Sequence, residues 1–142
     1  MKAQLRKIHA LLGDSGLLYA SLAEGGALAR DRALIESICS ERRGMMAALV
    51  HEAALDGEEL EPAASVGGLL NDIRVRVRDA IGHPAAAEVL GELERGERHL
   101  RDLYDEGIAA AGPGRLKQVL VGQRNSIDRN VRALHEAIAA HV

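Results

Sequence analysis

The chain has 142 residues, one domain's worth, and 18 basic against 21 acidic side chains of interspersed sign give it a formal net charge of −3. Its apolar fraction is 47%, but aromatics are only 1%, two tyrosines with no Phe and no Trp. That composition suits packed helices built from Leu, Ile, Val, Ala and Met; it argues against sandwiches and barrels, against base-stacking modules and against a polyanion partner, so no nucleic acid is expected.

Breakers at Gly25-Gly26, Asp56-Gly57 with Pro62, Gly82-His83-Pro84 and Gly112-Pro113-Gly114 divide the chain into five segments. In the first, Leu5, Ile8, Leu12, Ser15, Tyr19 and Leu22 fall at steps of three and four, one helical stripe. The second runs from near Asp31, a candidate N-cap, to about Leu55. Its stripe is Leu34/Ile35, Ile38, Arg42, Met45, Leu49 and Ala53.

The third segment, Ser65 to Ile81, reads two ways. Ile73 to Arg78 alternates apolar and basic residues, a strand signal, whereas Val66, Leu69, Leu70, Ile73, Val77, Ala80 and Ile81 fit a helix that Ser65 can cap. With no second strand to satisfy its backbone, the segment is taken as a helix.

The fourth segment opens at Pro84, a residue favoured in a first helical turn, and its stripe is Leu90, Leu93, Glu97, Leu100, Tyr104 and Ile108. The fifth follows Pro113 with Leu116, Leu120, Gln123, Ile127, Val131 (or Asn130), Leu134 and Ile138. Four long amphipathic helices of matched length make a bundle. A long middle connection holding a short helix suits a crossover along that bundle, so the expected fold is all-α: a single-domain ferritin-like four-helix bundle over residues 1–142 with a short crossover helix between the second and third long helices.

Several stretches resemble one family across nearly the whole chain and in order. They are Asp14-Ser15 followed by Tyr19, Ser65-Val66-Gly67-Gly68-Leu69-Leu70, Glu94-Arg95-Gly96-Glu97 followed by Tyr104, and Asn130-Val131-Arg132-Ala133-Leu134. The family is that of the uncharacterised bacterial ferritin-like four-helix-bundle proteins classed as a domain of unknown function. The resemblance implies a ferritin-like bundle, loosely linked with stress-response proteins and without an assigned activity. Two family features are absent. The family's Glu between the Asp-Ser pair and the Tyr is replaced by the stretch Gly16-Leu17-Leu18, and its His shortly before the last matched stretch by Asp128 and Arg129.

A ferritin-type di-iron site needs inward carboxylates and two Glu-x-x-His pairs, whose i and i+3 positions share a helix face. Three residues before His9, His51, His83, His99, His135 and His141 stand Arg6, Ala48, Ala80, Gly96, Arg132 and Ile138, none acidic. His99 and Asp102 have i, i+3 spacing but lie off the apolar stripe. No metal and no cofactor is expected. The stripes nonetheless carry polar residues inward: Ser15, Arg42 (or its neighbour Glu41), Glu97, Gln123 and Asn130. Unpaired, each would cost about 1 to 3 kcal/mol, so they are expected to pair, for example Glu97 with Arg42. The reading favoured for them is a network that fixes helix register; the other is an altered ligand-binding centre.

Glu94–Arg98 and Glu97–Arg101 have the i, i+4 spacing of surface ion pairs, while Arg74, Arg76 and Arg78 form no single patch. Met45-Met46 reads as core, and the single cysteine, Cys39, as a buried inert thiol; one cysteine excludes an internal disulfide and any cysteine zinc cage. There is no glycine-rich phosphate loop and no nucleophile beside a recognisable base. No apolar run approaches a membrane span, and a bacterial-type cytoplasmic protein is expected, with no membrane partner. The expected function is that of a metal-free binding or stress-associated structural protein, not an enzyme; the alternative is a di-iron oxidase or iron-handling protein with an incomplete site. Homodimerisation and a small-molecule ligand stay open.

Overall fold

A computed structural model of the chain describes residues 1–26, 28–60 and 85–141. Its long elements are α1 (Lys2–Glu24), α2 (Arg32–Leu55), α3 (Ala86–Ala110) and α4 (Arg115–Ala140), with a 3₁₀ turn at Ala29–Asp31 before α2. No strand occurs among the described residues. The expected crossover helix over 65–81, the strand alternative at Ile73 to Arg78 and the helix start at Pro84 lie outside those residues.

The breakers stop the helices by identifiable means. At the end of α2, Gly57 adopts φ +83, a left-handed conformation that only glycine takes without strain. Its N–H bonds the Ala54 carbonyl at 3.1 Å, and the Glu58 N–H bonds the Ala53 carbonyl at 2.8 Å. This reciprocal pair is a Schellman motif, which satisfies two carbonyls the helix leaves open. Gly114, with φ +149 and ψ −171, occupies a backbone region open to glycine alone and starts α4. Asp31 holds the N-cap position of α2 but makes no side-chain cap bond; its carboxylate instead meets His141 Nε2 at 2.7 Å.

The helices pack as two hairpins, α1 on α2 and α3 on α4, with α1 also beside α3 and α2 beside α4. Every neighbouring pair is antiparallel. Gly13 lies beside Met46 and Gly16 beside Cys39 across α1 and α2. Ile8 near the start of α1 meets Gly107 near the end of α3. Glu41, Met45 and Glu52 of α2 meet Asn130, Gln123 and Arg115 of α4 in reverse order. α2 and α3 therefore run in the same direction, and Leu55 and Ala86 stand at opposite ends of a bundle about 36 Å long. The long middle connection seen in the sequence is a geometric necessity of this order.

The stripes supply the core. Leu5, Ile8 and Leu12 of α1, Ile35 and Leu49 of α2, Leu90 of α3, and Leu120, Ile127 and Leu134 of α4 are fully buried. Two stripe residues differ: Ile108 and Ile138 are only half-buried at the bundle ends. Gly107 is buried in α3 instead, because Ile8 Cδ1 stands 3.1 Å from where a Cβ would sit, which lets α1 and α3 approach closely.

Candidate functional site

Halfway along the bundle the four inward stripes turn polar together. α1 brings Tyr19, α2 brings Arg42, α3 brings Glu97 and Tyr104, and α4 brings Gln123. All five are buried. The reason is periodicity: each residue occupies a stripe position that the flanking Leu and Ile residues commit to the interior.

Arg42 Nη2 donates to Glu97 Oε1 in a closed ion pair between α2 and α3. Arg42 Nη1 also approaches Met45 Sδ at 3.7 Å, and the guanidinium carbon lies 5.8 Å from the centre of the Tyr19 ring, within cation–π range. On the far side, the Tyr104 hydroxyl donates to Gln123 Oε1 at 2.6 Å, and Gln123 Nε2 donates to the Met45 carbonyl at 2.9 Å. A chain of contacts thus ties all four helices at one level.

Electrostatics keep this centre in one charge state. Burial is the largest influence and pulls the Arg42 guanidinium down, but the adjacent Glu97 carboxylate, with Tyr19 and Glu41, outweighs it and the net shift is upward. Burial, and then Glu97, pushes the Tyr19 phenol far above its ordinary range; Tyr104 is raised by burial as well. Both phenols stay protonated and Arg42 stays charged. Two buried atoms lack a hydrogen bond of ordinary geometry, the Tyr19 hydroxyl and Arg42 Nε, although the hydroxyl lies against Glu97 and Arg42. Beside Glu97 a cavity of about 10 Å³ opens between α1 and α3, lined by Ser15, Leu18, Leu93 and Gly96 among others. That is room for at most about one water.

The other sequence candidates sit around this centre rather than in it. Ser15 is buried, and its hydroxyl donates back to the Leu12 carbonyl at 3.0 Å. Glu41 is partly exposed, 4.0 Å from Arg42 Nη1, and accepts from Asn130 Nδ2 at 2.9 Å. Of the alternatives Arg42 and Glu41, it is Arg42 that turns inward. The i, i+4 pair Glu94–Arg98 forms at 2.9 Å, but Glu97–Arg101 does not. Glu97 faces inward to Arg42, and Arg101 reaches across to Asp128 on α4 at 2.7 Å. Together with Glu94–His135 and Asp105–Arg124, that contact makes a ladder stepping seven and then four residues along both helices. Arg101 and then Arg132 hold the Asp128 carboxyl below its usual range.

Other buried polar residues escaped the sequence reading. The two tyrosines stood on the stripes but were not grouped with the charges, although they are the chain's only aromatics and Tyr104 lies two turns from Glu97. Glu52 is buried at the other end of α2 and takes Arg115 at 3.1 Å, beside an open cleft lined by His51, Asp56 and Leu116. His9 is buried without a partner for Nδ1. Cys39, by contrast, is buried as expected from the sequence, its Sγ 3.7 Å from the Gly16 carbonyl oxygen.

Among the described residues no three of His, Cys, Asp and Glu come together as a metal-binding group. None of the described helices is long and apolar enough to cross a membrane. No family model matches the chain, and neither the curated proteins nor the solved structures give a match.

Proposed function

We propose that the chain is a metal-free ferritin-like bundle that acts as a binding or stress-associated structural protein rather than an enzyme. The observation that carries this reading is Arg42. A carboxylate-bridged di-metal centre needs several anionic ligands converging on the bundle axis. Here the inward carboxylate of Glu97 is already neutralised by a fully buried guanidinium. Two divalent ions placed beside it would meet a fixed positive charge. Displacing Arg42 would leave a buried cation without its partner, which is strongly unfavourable. The remaining inward groups, two protonated phenols and the Gln123 amide, are neutral and cannot balance metal charge in a low-dielectric interior.

The ferritin-like part of the reading is supported by the order of the helices, with α2 and α3 parallel and their ends at opposite poles, and by the resemblance in sequence. The stress association rests on the resemblance. Elemental analysis of protein purified without chelator tests the proposal. Iron and manganese are expected well below one ion per chain. A stoichiometric content that survives desalting overturns it in favour of a di-iron oxidase or iron-handling protein.

A further inference from the structure

The outer face of α1, opposite the stripe that carries Tyr19, has an order of its own. Arg6, Ala10, Gly13, Leu17, Ala20 and Glu24 follow one another at steps of four and three, the spacing of a helix–helix seam. Leu17 in the middle of the helix is 67% exposed. Arg6 and Glu24 at the two ends are exposed and form none of the ion pairs of the described residues. Gly13 leaves a shallow place on the surface: among the described residues an added Cβ there would meet only Met46, whose Cε stands 3.4 Å away on α2. Val50, one turn beyond Met46, is 36% exposed and extends the apolar patch.

The seam is complementary to its own reverse. An antiparallel two-fold crossing at the level of residue 15 brings together positions equidistant from it. Arg6 then faces Glu24, Gly13 faces Leu17, and Ala10 faces Ala20, each pair made twice. The only large apolar residue of the six meets the residue with no side chain, and each charge meets its opposite. Ala10 is buried and Ala20 packs partly against the core of its own chain, so that pair adds little. A parallel crossing instead sets Arg6 against Arg6 and Glu24 against Glu24, so the charges select the antiparallel one. A two-fold interface needs this self-complementarity, in which one patch serves both partners.

We propose that the outer face of α1 is the interface of a two-fold homodimer, with Leu17 of each protomer seated over Gly13 and Met46 of the other and Arg6 paired with Glu24 at both ends. The occupant is a second copy because α1 carries both members of the Arg6–Glu24 and Leu17–Gly13 pairs, in matching order about residue 15. The inference stands on the outside of the bundle and does not depend on the interior reading.

Sedimentation equilibrium over a range of concentrations tests it. The wild-type chain is expected to dimerise with a dissociation constant tighter than about 1 mM. Leu17→Asp should give a monomer with unchanged far-ultraviolet circular dichroism. Arg6→Glu and Glu24→Arg should each weaken the dimer at least about tenfold, and the double charge reversal should restore it, since each pair of facing positions again carries opposite charges. A wild-type chain that stays monomeric to about 1 mM, a dimer indifferent to Leu17→Asp, or single reversals that the double variant does not rescue would each overturn the proposal. If Leu17→Asp loses helix, the reversal series decides alone, because Arg6 and Glu24 are exposed.

Discussion

Glu97 of α3 accepts a hydrogen bond from Arg42 of α2 where neither side chain meets solvent. The two charges neutralise each other in a plane where every helix contributes a polar group. Burying such a pair gains little over a well-packed apolar pair, but breaking it strands a charge. Glu97→Ala is therefore expected to destabilise the fold by about 3 to 5 kcal/mol, and Glu97→Gln by less, since the amide oxygen still accepts from Arg42. The double variant Arg42→Met with Glu97→Leu should be far closer to wild type than either truncation alone. Urea unfolding monitored by circular dichroism measures all of these. A midpoint unmoved by Glu97→Ala would contradict the closed pair.

The two tyrosines offer a sharper contrast, because the Tyr104 hydroxyl makes a well-formed bond, whereas the Tyr19 hydroxyl lies against Glu97 and Arg42 without one of ordinary geometry. Tyr104→Phe removes the donor to Gln123 Oε1 and leaves that oxygen buried without its phenol. The cost should be about 1 to 2 kcal/mol. Tyr19→Phe removes a hydroxyl that has no hydrogen bond of ordinary geometry. Its effect should be near zero or slightly stabilising, while the ring stays in place under the Arg42 guanidinium. Equal losses at both positions would show that Tyr19 does have a partner.

His9 predicts a pH dependence. Burial lowers its pKa in the folded chain below the ordinary 6.5. Below 6.5 the unfolded chain binds the proton more readily, so stability present at neutral pH is lost as pH falls through that value and levels off below the folded pKa. Asp128 adds a second, more acidic window. Its carboxyl is held below 3.8, chiefly by Arg101, so its contribution is lost as pH falls from 3.8 through the lower folded value. His9→Gln should remove the slope just below pH 6.5 and leave the acid limb intact, as read from unfolding midpoints across pH.

The stripes were legible because burial in a helix repeats every three to four residues. Ile35, Ile38, Arg42, Met45, Leu49 and Ala53 all point inward, and α2 ends at Leu55 where Asp56-Gly57 marks the stop. The Arg42–Glu97 pair was also legible, since each residue is the sole charge on its stripe. What escaped were contacts that depend on the relative height of two helices. The rule for i, i+4 pairs looks along one helix, so it matched Glu97 with Arg101 and could not see Asp128 across the groove. Asp31 looked like a cap because its partner, His141, lies at the other end of the chain. The bond from Tyr104 to Gln123 was hidden for the same reason.

Glycines in two different conformations should respond with opposite signs. Gly57→Ala forces a Cβ into φ +83 with no compensating contact. It should cost about 1 kcal/mol and loosen the end of α2. Gly122 lies within α4, exposed, with nothing within 4 Å of an added Cβ. Gly122→Ala should stabilise by about 0.5 to 1 kcal/mol through helix propensity alone. Thermal unfolding of the two single variants distinguishes the cases.

The interior charge balance makes a final prediction about metals. A ligand that binds only the folded chain raises its stability by RT ln(1 + c/Kd), with c its free concentration, so even a weak site shifts the melting temperature once the free ion exceeds its dissociation constant. Among the described residues the buried carboxylates are Glu97, paired with Arg42, Glu52, paired with Arg115 at the end of α2, and Asp14 on α1; together with the partly exposed Glu41, which accepts from Asn130, they form no group of three that could hold an ion. Ferrous iron or manganese at about 50 µM should therefore leave the melting temperature unchanged. Arg42→Met is the informative companion. It frees the Glu97 carboxylate without supplying the missing imidazoles, so the fold should weaken and still gain nothing from either ion. A rise of several degrees in the wild-type chain, abolished by Glu97→Ala, would mean that the ions displace the guanidinium and that the bundle interior is a metal site after all.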